Sequence, residues 1–202
     1  MNRSKKPKQN RGFETRQRIL QAGFELFSQK GLHGTNSREI AAAAGVSIGS
    51  FYTYFKDKRL LFIELIRSHC GQILNVLDTF SVEAYIDKDP REAVFTLIHS
   101  IWTLHTSVYP LNQKAVALRE LDTEIDTIIH EQEEAIGQRL VELLKRAQVE
   151  SRLRIQDLET SAWLVDLIIV EVMHSTSRLK PSAERDRIVN ELVDMISRYL
   201  FK

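Results

Sequence analysis

Apolar residues along this chain recur mostly at helical spacing, and strand-like alternation is scarce. Over about residues 13–30 the stripe is Ile19, Gly23, Leu26 and Phe27, widened by Leu20 and Phe24; Gly31 ends it, as a glycine after a helix should. Two short helices are predicted next. Thr35 or Asn36 can cap the first, Glu39 stands where a capping-box partner would, and Ile40, Ala41 and Ala44 form its core side. Gly45 turns the chain, and Ser47 caps a second short helix over 48–54. Asp57 caps a long helix to about residue 80 through Leu61, Leu65 and Ile66. After a polar break at 85–89, Pro90 is placed to start a helix to about 107, and Pro110 restarts the chain into 112–122. Long patterns follow over 125–150 and 157–179, and Pro181 and Ser182 break the second. A last amphipathic helix carries Ile188, Leu192, Met195, Ile196 and Tyr199 on one stripe. The expected fold is all-α with about nine helices: a flexible arm over 1–12, a three-helix unit over 13–59, and a larger helical domain over 60–202 that the helix from Asp57 links to it.

Composition narrows the chemistry. Hydrophobic (43%) and charged (27%) fractions are those of an ordinary globular chain, and only 8 Gly and 4 Pro agree with helices. The single cysteine, Cys70, excludes an intrachain disulfide and a thiolate zinc site, and suits a reducing cytoplasm. The basic N-terminus has no apolar core behind it, so no signal peptide is expected. No run reaches the roughly 18 uncharged apolar residues of a spanning helix; the longest, 162–173, contains Asp166 and Glu171, so no membrane is expected as a partner. There is no Gly-rich phosphate loop, no Gly-x-Ser-x-Gly elbow and no His-Glu-x-x-His. His130 and Glu134 lie four apart, but Glu131 and Glu133 beside them make a solvated face. No catalytic residue, metal or cofactor is therefore expected, and an enzyme is not.

Charge is divided unevenly. Residues 1–59 hold twelve Lys/Arg against four Asp/Glu, whereas 60–202 hold sixteen against twenty-three. A basic block on an acidic body is the footprint of a polyanion-binding protein. Charge alone fits a solvated tail equally well, because Arg3, Lys5, Lys6, Lys8 and Arg11 lie in the polar lead.

The segment 37–52 changes that balance. Two helices crossing steeply over a short turn need a small residue at the crossing, a residue tolerant of positive φ in the turn, and a cap for the second helix. Ala41, Gly45 and Ser47 supply these, and Ile40, Val46 and Phe51 plug the space between. The outward candidates of the second helix are Ile48, Ser50, Tyr52, Thr53 and Tyr54, with Gly49 permitting close approach; none is acidic. Hydroxyls and aromatics of this kind can meet base edges, thymine methyls and phosphates in a major groove. Lys56, Lys58 and Arg59 follow, and Lys58, near the next helix start, is placed for a phosphate.

On these residues the chain resembles the tetracycline-repressor (TetR/AcrR) family. Thr15-Arg16-x-x-Ile19-Leu20-x-Ala22 with Phe24, Phe27, Gly31 and Thr35 is similar to the family's first helix and turn. So is Ile40-Ala41-x-x-Ala44-Gly45-Val46-Ser47-x-Gly49-Ser50-Phe51-Tyr52-x-Tyr54-Phe55-x-x-Lys58-x-x-Leu61 to the segment after it. The resemblance covers roughly 13–65 and implies that 48–54 is a recognition helix. Ser37 and Arg38 would open the preceding helix against double-stranded operator DNA. Tyr52 and Thr53 would enter the groove, and Tyr54 and Lys58 would hold phosphates. Ile48 stands where many relatives carry a polar or basic residue, so a thymine methyl is the contact expected there.

The remaining two-thirds is expected to dimerise and to bind a small effector. A single reading head on one half-site would be weak, and the segment 162–173 is apolar nearly all round, so it needs cover on more than one side. The expected homodimer surface is Trp163, Leu167 and Val170 with Ile188, Leu192, Met195, Ile196 and Tyr199; the resemblance places a four-helix bundle on the last two helices. For an effector pocket the candidates are Phe95, His99, Trp102, His105, Tyr109, Asp166 and Glu171, with His174 nearby: polar or aromatic groups on apolar helices. The resulting expectation is a cytoplasmic, nucleoid-associated repressor released from a palindromic operator by an effector. The competing reading is a DNA-binding architectural or division factor without one.

Overall fold

The computed structural model describes residues 8–85, 88–149, 153–176 and 183–202. Among them the chain forms eight α-helices: α1 (Lys8–Lys30), α2 (Ser37–Ala43), α3 (Ile48–Tyr54), α4 (Lys58–Thr79), α5 (Pro90–Val116), α6 (Thr123–Val149), α7 (Leu158–Thr176) and α8 (Ala183–Leu200). A 3-10 turn spans Glu83–Tyr85, and the described residues form no strand beyond an isolated antiparallel bridge between Leu153 and Phe201. The fold is all-α, as the periodicity required.

Three of the long helices begin the same way. The carboxylates of Asp57, Asp122 and Asp157 accept the backbone amides of Leu60 (2.8 Å), Ile125 (3.2 Å) and Thr160 (3.0 Å), each three residues on. An acidic cap satisfies a free amide and sits at the positive end of the helix dipole; of the three, Asp57 was read as a cap from the sequence.

Other boundaries differ from expectation. α1 starts at Lys8, not near Phe13, because its first turn is polar and carries no apolar period. Of the arm expected over 1–12, residues 8–12 are helical and 1–7 lie outside the described residues, as do Pro181 and Ser182. The helices expected over 90–107 and 112–122 are one helix, with Pro110 inside α5. An internal proline costs about 3 kcal/mol. Leu111 and Ala115, 1% and 2% exposed, are buried by the continued helix and offset that cost. α4 carries a window of mean hydropathy 1.3, enough by length and composition to cross a membrane, although Glu64 and Arg67 interrupt its apolar run. Its Leu61, Phe62, Ile66, Ile73 and Leu77 are buried within the protein, so it is a core helix.

The chain divides into two compact units, and the division does not follow the expected boundary at 59/60. One holds the chain up to Ser68 together with Pro110–Asp126; the other holds His69–Tyr109 and Thr127–Lys202. In the first, Ile19, Phe27, Ile40, Phe51, Leu61 and Phe62 are fully buried, and Phe27 meets Phe62 edge-on at 5.1 Å. The second has its own core from α4 (Ile73, Leu77), α5, α6, α7 and α8.

Candidate nucleic-acid interface and apolar cavity

The geometry of α2 and α3 is set by local hydrogen bonds. Asn36, not Thr35, caps α2: its side chain accepts from Glu39 N at 3.0 Å. Thr35 is buried and donates to Gly31 O at 2.9 Å. Glu39 does not close a capping box; its Oε1 meets Lys30 Nζ at 3.4 Å. At the turn, Gly45 adopts φ 63° and Val46 N donates to Ala41 O at 3.0 Å, so the helix ends through a left-handed residue that a side chain would strain. Arg18 Nη1 donates to Ala44 O at 3.2 Å and ties α1 to this turn. Ser47 then caps α3 by accepting from Ser50 N at 3.0 Å. Phe51, fully buried, anchors α3, and its ring meets Tyr52 at 5.4 Å and Phe55 at 6.0 Å. Arg16 stands 5.2 Å over Phe55 while its Nη2 reaches both Glu64 oxygens at 2.5 and 2.6 Å, fixing the start of α4 against α1.

With Phe51 turned inward, the opposite side of α3 faces out. Ser47, Ile48, Gly49, Tyr52 and Thr53 are exposed, Tyr52 to 55%; Ser50 and Tyr54 are half-buried. On α2, Arg38 is exposed and Ser37 half-buried. Thr53 Oγ1 donates to Gly49 O at 3.1 Å, a bond within the helix. Lys58 departs from the phosphate-facing placement. Its Nζ turns inward and donates to Leu32 O at 2.8 Å and Thr35 O at 2.6 Å, locking the loop between α1 and α2 to α4. Two of its three N–H donors are thus used by the protein. Arg59 is turned away too, donating to Asp122 and Glu124. Lys56, just after α3, is exposed.

In the second unit a cavity of about 150 Å³ opens among α4, α5, α6, α7 and α8. Its walls are apolar, with Ile73, Leu77, Ile98, Leu140, Val165 and Ile196 among them. Of the seven expected pocket residues, His105 and Asp166 line it. Phe95 and His99 instead stack on each other, 5.6 Å apart, on an exposed side of α5. At about 100° per residue they fall roughly 80–120° around the helix from His105, which faces the cavity. Trp102 is buried in the second core outside the lining, and Tyr109 donates through its hydroxyl to His174 O at 3.2 Å. Glu171 is exposed and accepts from Ser175. The lining residues from α4, α6 and α8 gave no sequence signal, being indistinguishable from ordinary core.

Burial pushes the His105 imidazole down to about 4, with His174 and His69 adding to the effect. Its Nε2 is buried without a hydrogen-bond partner among the described residues. His69, whose ring lies 6.1 Å away, is pushed down to about 4 by burial alone. Asp166 is half-buried; burial, with a smaller contribution from the Glu133 carboxylate on α6, pushes its carboxyl up to about 6.

The expected dimer residues divide. Trp163, Leu167 and Val170 form an exposed stripe on α7, Trp163 to 61%. On α8, Met195 and Tyr199 are exposed, Ile188 is half-buried, and Leu192 and Ile196 belong to the chain's own core. The apolar arc of α8 spans roughly 160° at about 100° per residue, wider than one interface; the core takes one part of it. Ser161 Oγ and Tyr199 OH, 3.0 Å apart, tie the two helices.

Residues 19–65 match the family described as bacterial regulatory proteins, tetR family, and residues 89–200 match the tetracyclin repressor-like C-terminal domain. The chain is similar to the HTH-type transcriptional regulator AcrR of Shigella flexneri, 50% identical over 63 residues, 30% of this chain and 29% of that one. It is 33% identical over 94 residues to the HTH-type transcriptional regulator YdgC of Bacillus subtilis, 46% of this chain and 48% of the relative. The chain thus spans less than half the length of these curated relatives. Two solved structures share the fold. A bacterial regulatory protein of the tetR family from Rhodococcus RHA1 has a TM-score of 0.69 at 21% identity, covering 93% of this chain and 97% of its own. SmeT, the repressor of the Stenotrophomonas maltophilia multidrug efflux pump SmeDEF, has a TM-score of 0.72 at 21% identity, covering 94% and 93%.

Proposed function

This chain belongs to the tetR family of bacterial regulatory proteins, and from that premise we propose that it is a homodimeric transcriptional repressor, not an enzyme, whose α2–α3 pair reads a palindromic operator and whose cavity takes the effector that releases it. The observation that carries this reading is the outer side of α3. Ile48, Gly49, Tyr52 and Thr53 stand exposed there, no residue of α3 is acidic, and Arg38 and Lys56 are exposed beside them. In the major groove Arg38 reads a guanine, Ile48 packs on a thymine methyl, and Ser50, Tyr52 and Thr53 meet base edges. The capped start of α3 at Ser47, Ser37, the hydroxyl of Tyr54 and Lys56 hold phosphates, with the last N–H of Lys58 as a lesser contact.

The dimer forms across the α7–α8 face, where Trp163, Leu167, Val170, Met195 and Tyr199 are apolar and exposed. Two heads on one operator double the contacts and fix the half-site spacing. A patch of this kind on a lone chain is otherwise an aggregation hazard. The apolar cavity favours an effector-controlled repressor over an architectural factor without one. α4, α5 and α6 each contribute to both compact units, so an effector preferring one arrangement of these helices shifts the population of DNA-competent dimers. The site of action is the bacterial nucleoid, in the cytoplasm.

Selection of bound DNA from a genomic library with the purified protein tests the reading. The expected product is one palindrome with half-sites a helical turn, ~34–36 Å, or a multiple apart. Arg38→Ala and Tyr52→Ala are each expected to lower operator affinity by about 1–3 kcal/mol without changing the melting temperature. Unchanged affinity in both variants overturns the assignment.

A further inference from the structure

Resting on the reading of the cavity as the effector site, we propose that its ligand is a small lipophilic amine: a single ring or short branched chain bearing one protonated nitrogen that pairs with Asp166. Size comes first. A cavity of about 150 Å³ with largely apolar walls holds a body of the order of one benzene ring. Larger lipophiles would have to push apart a core in which Ile98, Val193 and Leu77 are almost wholly buried.

Charge selects the head group. No lysine or arginine is among the lining residues; the ionisable groups that line the cavity are Asp166, His105 and the Tyr85 phenol. Lys88 lies 4.9 Å over the Tyr85 ring and is not part of the lining. A carboxylate or phosphate ligand would therefore meet Asp166, with the Glu133 carboxylate close enough to act on it, and find no cation to compensate. A neutral ligand leaves the Asp166 charge half out of water with no partner supplied. An ammonium group relieves both conditions at once. His105, nine-tenths buried and on a different helix from Asp166, offers a second anchor. Its unpartnered Nε2 belongs to an imidazole kept neutral by burial, and in that state it can accept a second N–H from the ligand. An amine has two or three N–H donors and so can serve both walls; an alcohol has one.

Three isosteres distinguish the classes: benzylamine, benzyl alcohol and benzoate, titrated calorimetrically into the full-length protein near neutral pH. Benzylamine is expected to bind at least about tenfold more tightly than benzyl alcohol, with benzoate weakest. Asp166→Asn is expected to abolish the amine preference and, by removing a half-buried charge, to raise the melting temperature at neutral pH. Benzoate binding as well as benzylamine, an amine preference that survives Asp166→Asn, or no saturable binding of benzylamine overturns the proposal. The wild-type ranking needs no variant and stands even if Asp166→Asn misfolds. Ala162→Leu, which fills the cavity, separates this outcome from the underlying reading. If benzyl alcohol binds and Ala162→Leu blocks it while the amine shows no preference, the ligand class is wrong and the cavity remains the effector site. If Ala162→Leu folds and leaves all binding intact, the cavity reading itself fails.

Discussion

The guanidinium of Arg59, the second residue of α4, holds both carboxylate oxygens of Asp122: Nη2 lies 2.7 Å from Oδ1, and Nε lies 3.3 Å from Oδ2. Nη1 donates in addition to Glu124. The same Asp122 carboxylate caps α6 through Glu124 N and Ile125 N, both at 3.2 Å. One side chain therefore closes the start of α6 and clamps it to the start of α4. The arginine holds the Asp122 carboxyl below its usual range. Asp122→Ala is expected to lose both functions and Arg59→Ala only the clamp. Because the pair is partly exposed, its coupling is expected to be about 1 kcal/mol. A double-mutant cycle in urea measures it; a coupling indistinguishable from zero would show that the contact is incidental.

Lys58 gives a prediction opposite to the one its position in the sequence suggests. Its ammonium satisfies the carbonyls of Leu32 and Thr35. Lys58→Met leaves them unpaired and is expected to cost about 1–3 kcal/mol of stability. Lys56→Ala, by contrast, is expected to leave the melting temperature alone and to reduce the salt dependence of DNA binding by about one phosphate contact. Thermal melts and a salt titration of both variants check this. If Lys58→Met melts like wild type, the structural role is refuted.

The exposed α7 stripe carries the oligomer prediction. Trp163→Glu or Leu167→Asp places a charge where the dimer would desolvate it, and is expected to weaken dimerisation by several kcal/mol, leaving monomer at micromolar concentration. Both side chains are exposed in the single chain, at 61% and 49%, so the fold should be unaffected. Sedimentation velocity with a helicity measurement reads the two effects separately. A wild-type chain that sediments as a monomer throughout would exclude the proposed interface.

Acid sensitivity follows from the buried histidines. His69 and His105 sit near 4 in the fold against an ordinary value of 6.5. The unfolded chain therefore takes up protons that the folded one refuses. Their contribution is fully present above pH 6.5 and is lost as pH falls toward 4. Asp166 works the other way: raised from 3.8 to about 6, it weakens the fold at neutral pH and that loss is relieved as pH falls below 6. Two imidazoles outweigh one carboxyl, so net stability is expected to fall between pH 6.5 and 4.5. His69→Leu should flatten that slope. Urea denaturation at a series of pH values measures it, and a slope of the reverse sign would contradict the assignment.

Much of the first unit was legible because its signals are local. Gly45, Ser47, Asp57 and the buried Phe51 act within four residues of their own positions, through turn conformation, capping and one apolar anchor. Short-range geometry of this kind is written directly in residue order, and so the helix-turn-helix and the outer side of α3 follow from the chain itself. The cavity was only half legible. Phe95, His99 and Glu171 have the residue types of a binding site, yet which side of α5 and α7 faces inward depends on neighbours far away in sequence.

By itself the amino-acid order determined the all-helical class, the capped starts of α3 and α4, and the helix-turn-helix, because each rests on interactions between residues a turn or less apart. Tertiary packing alone decided the rest. It carried α5 straight through Pro110, since burying Leu111 and Ala115 outweighs a missing amide bond. It turned Lys58 and Arg59 to internal partners and left Trp163 outside while Ile196 went in. Those outcomes compare free energies of contacts between distant segments, and a one-dimensional pattern of polar and apolar positions records which side chains seek cover but not which of them find it.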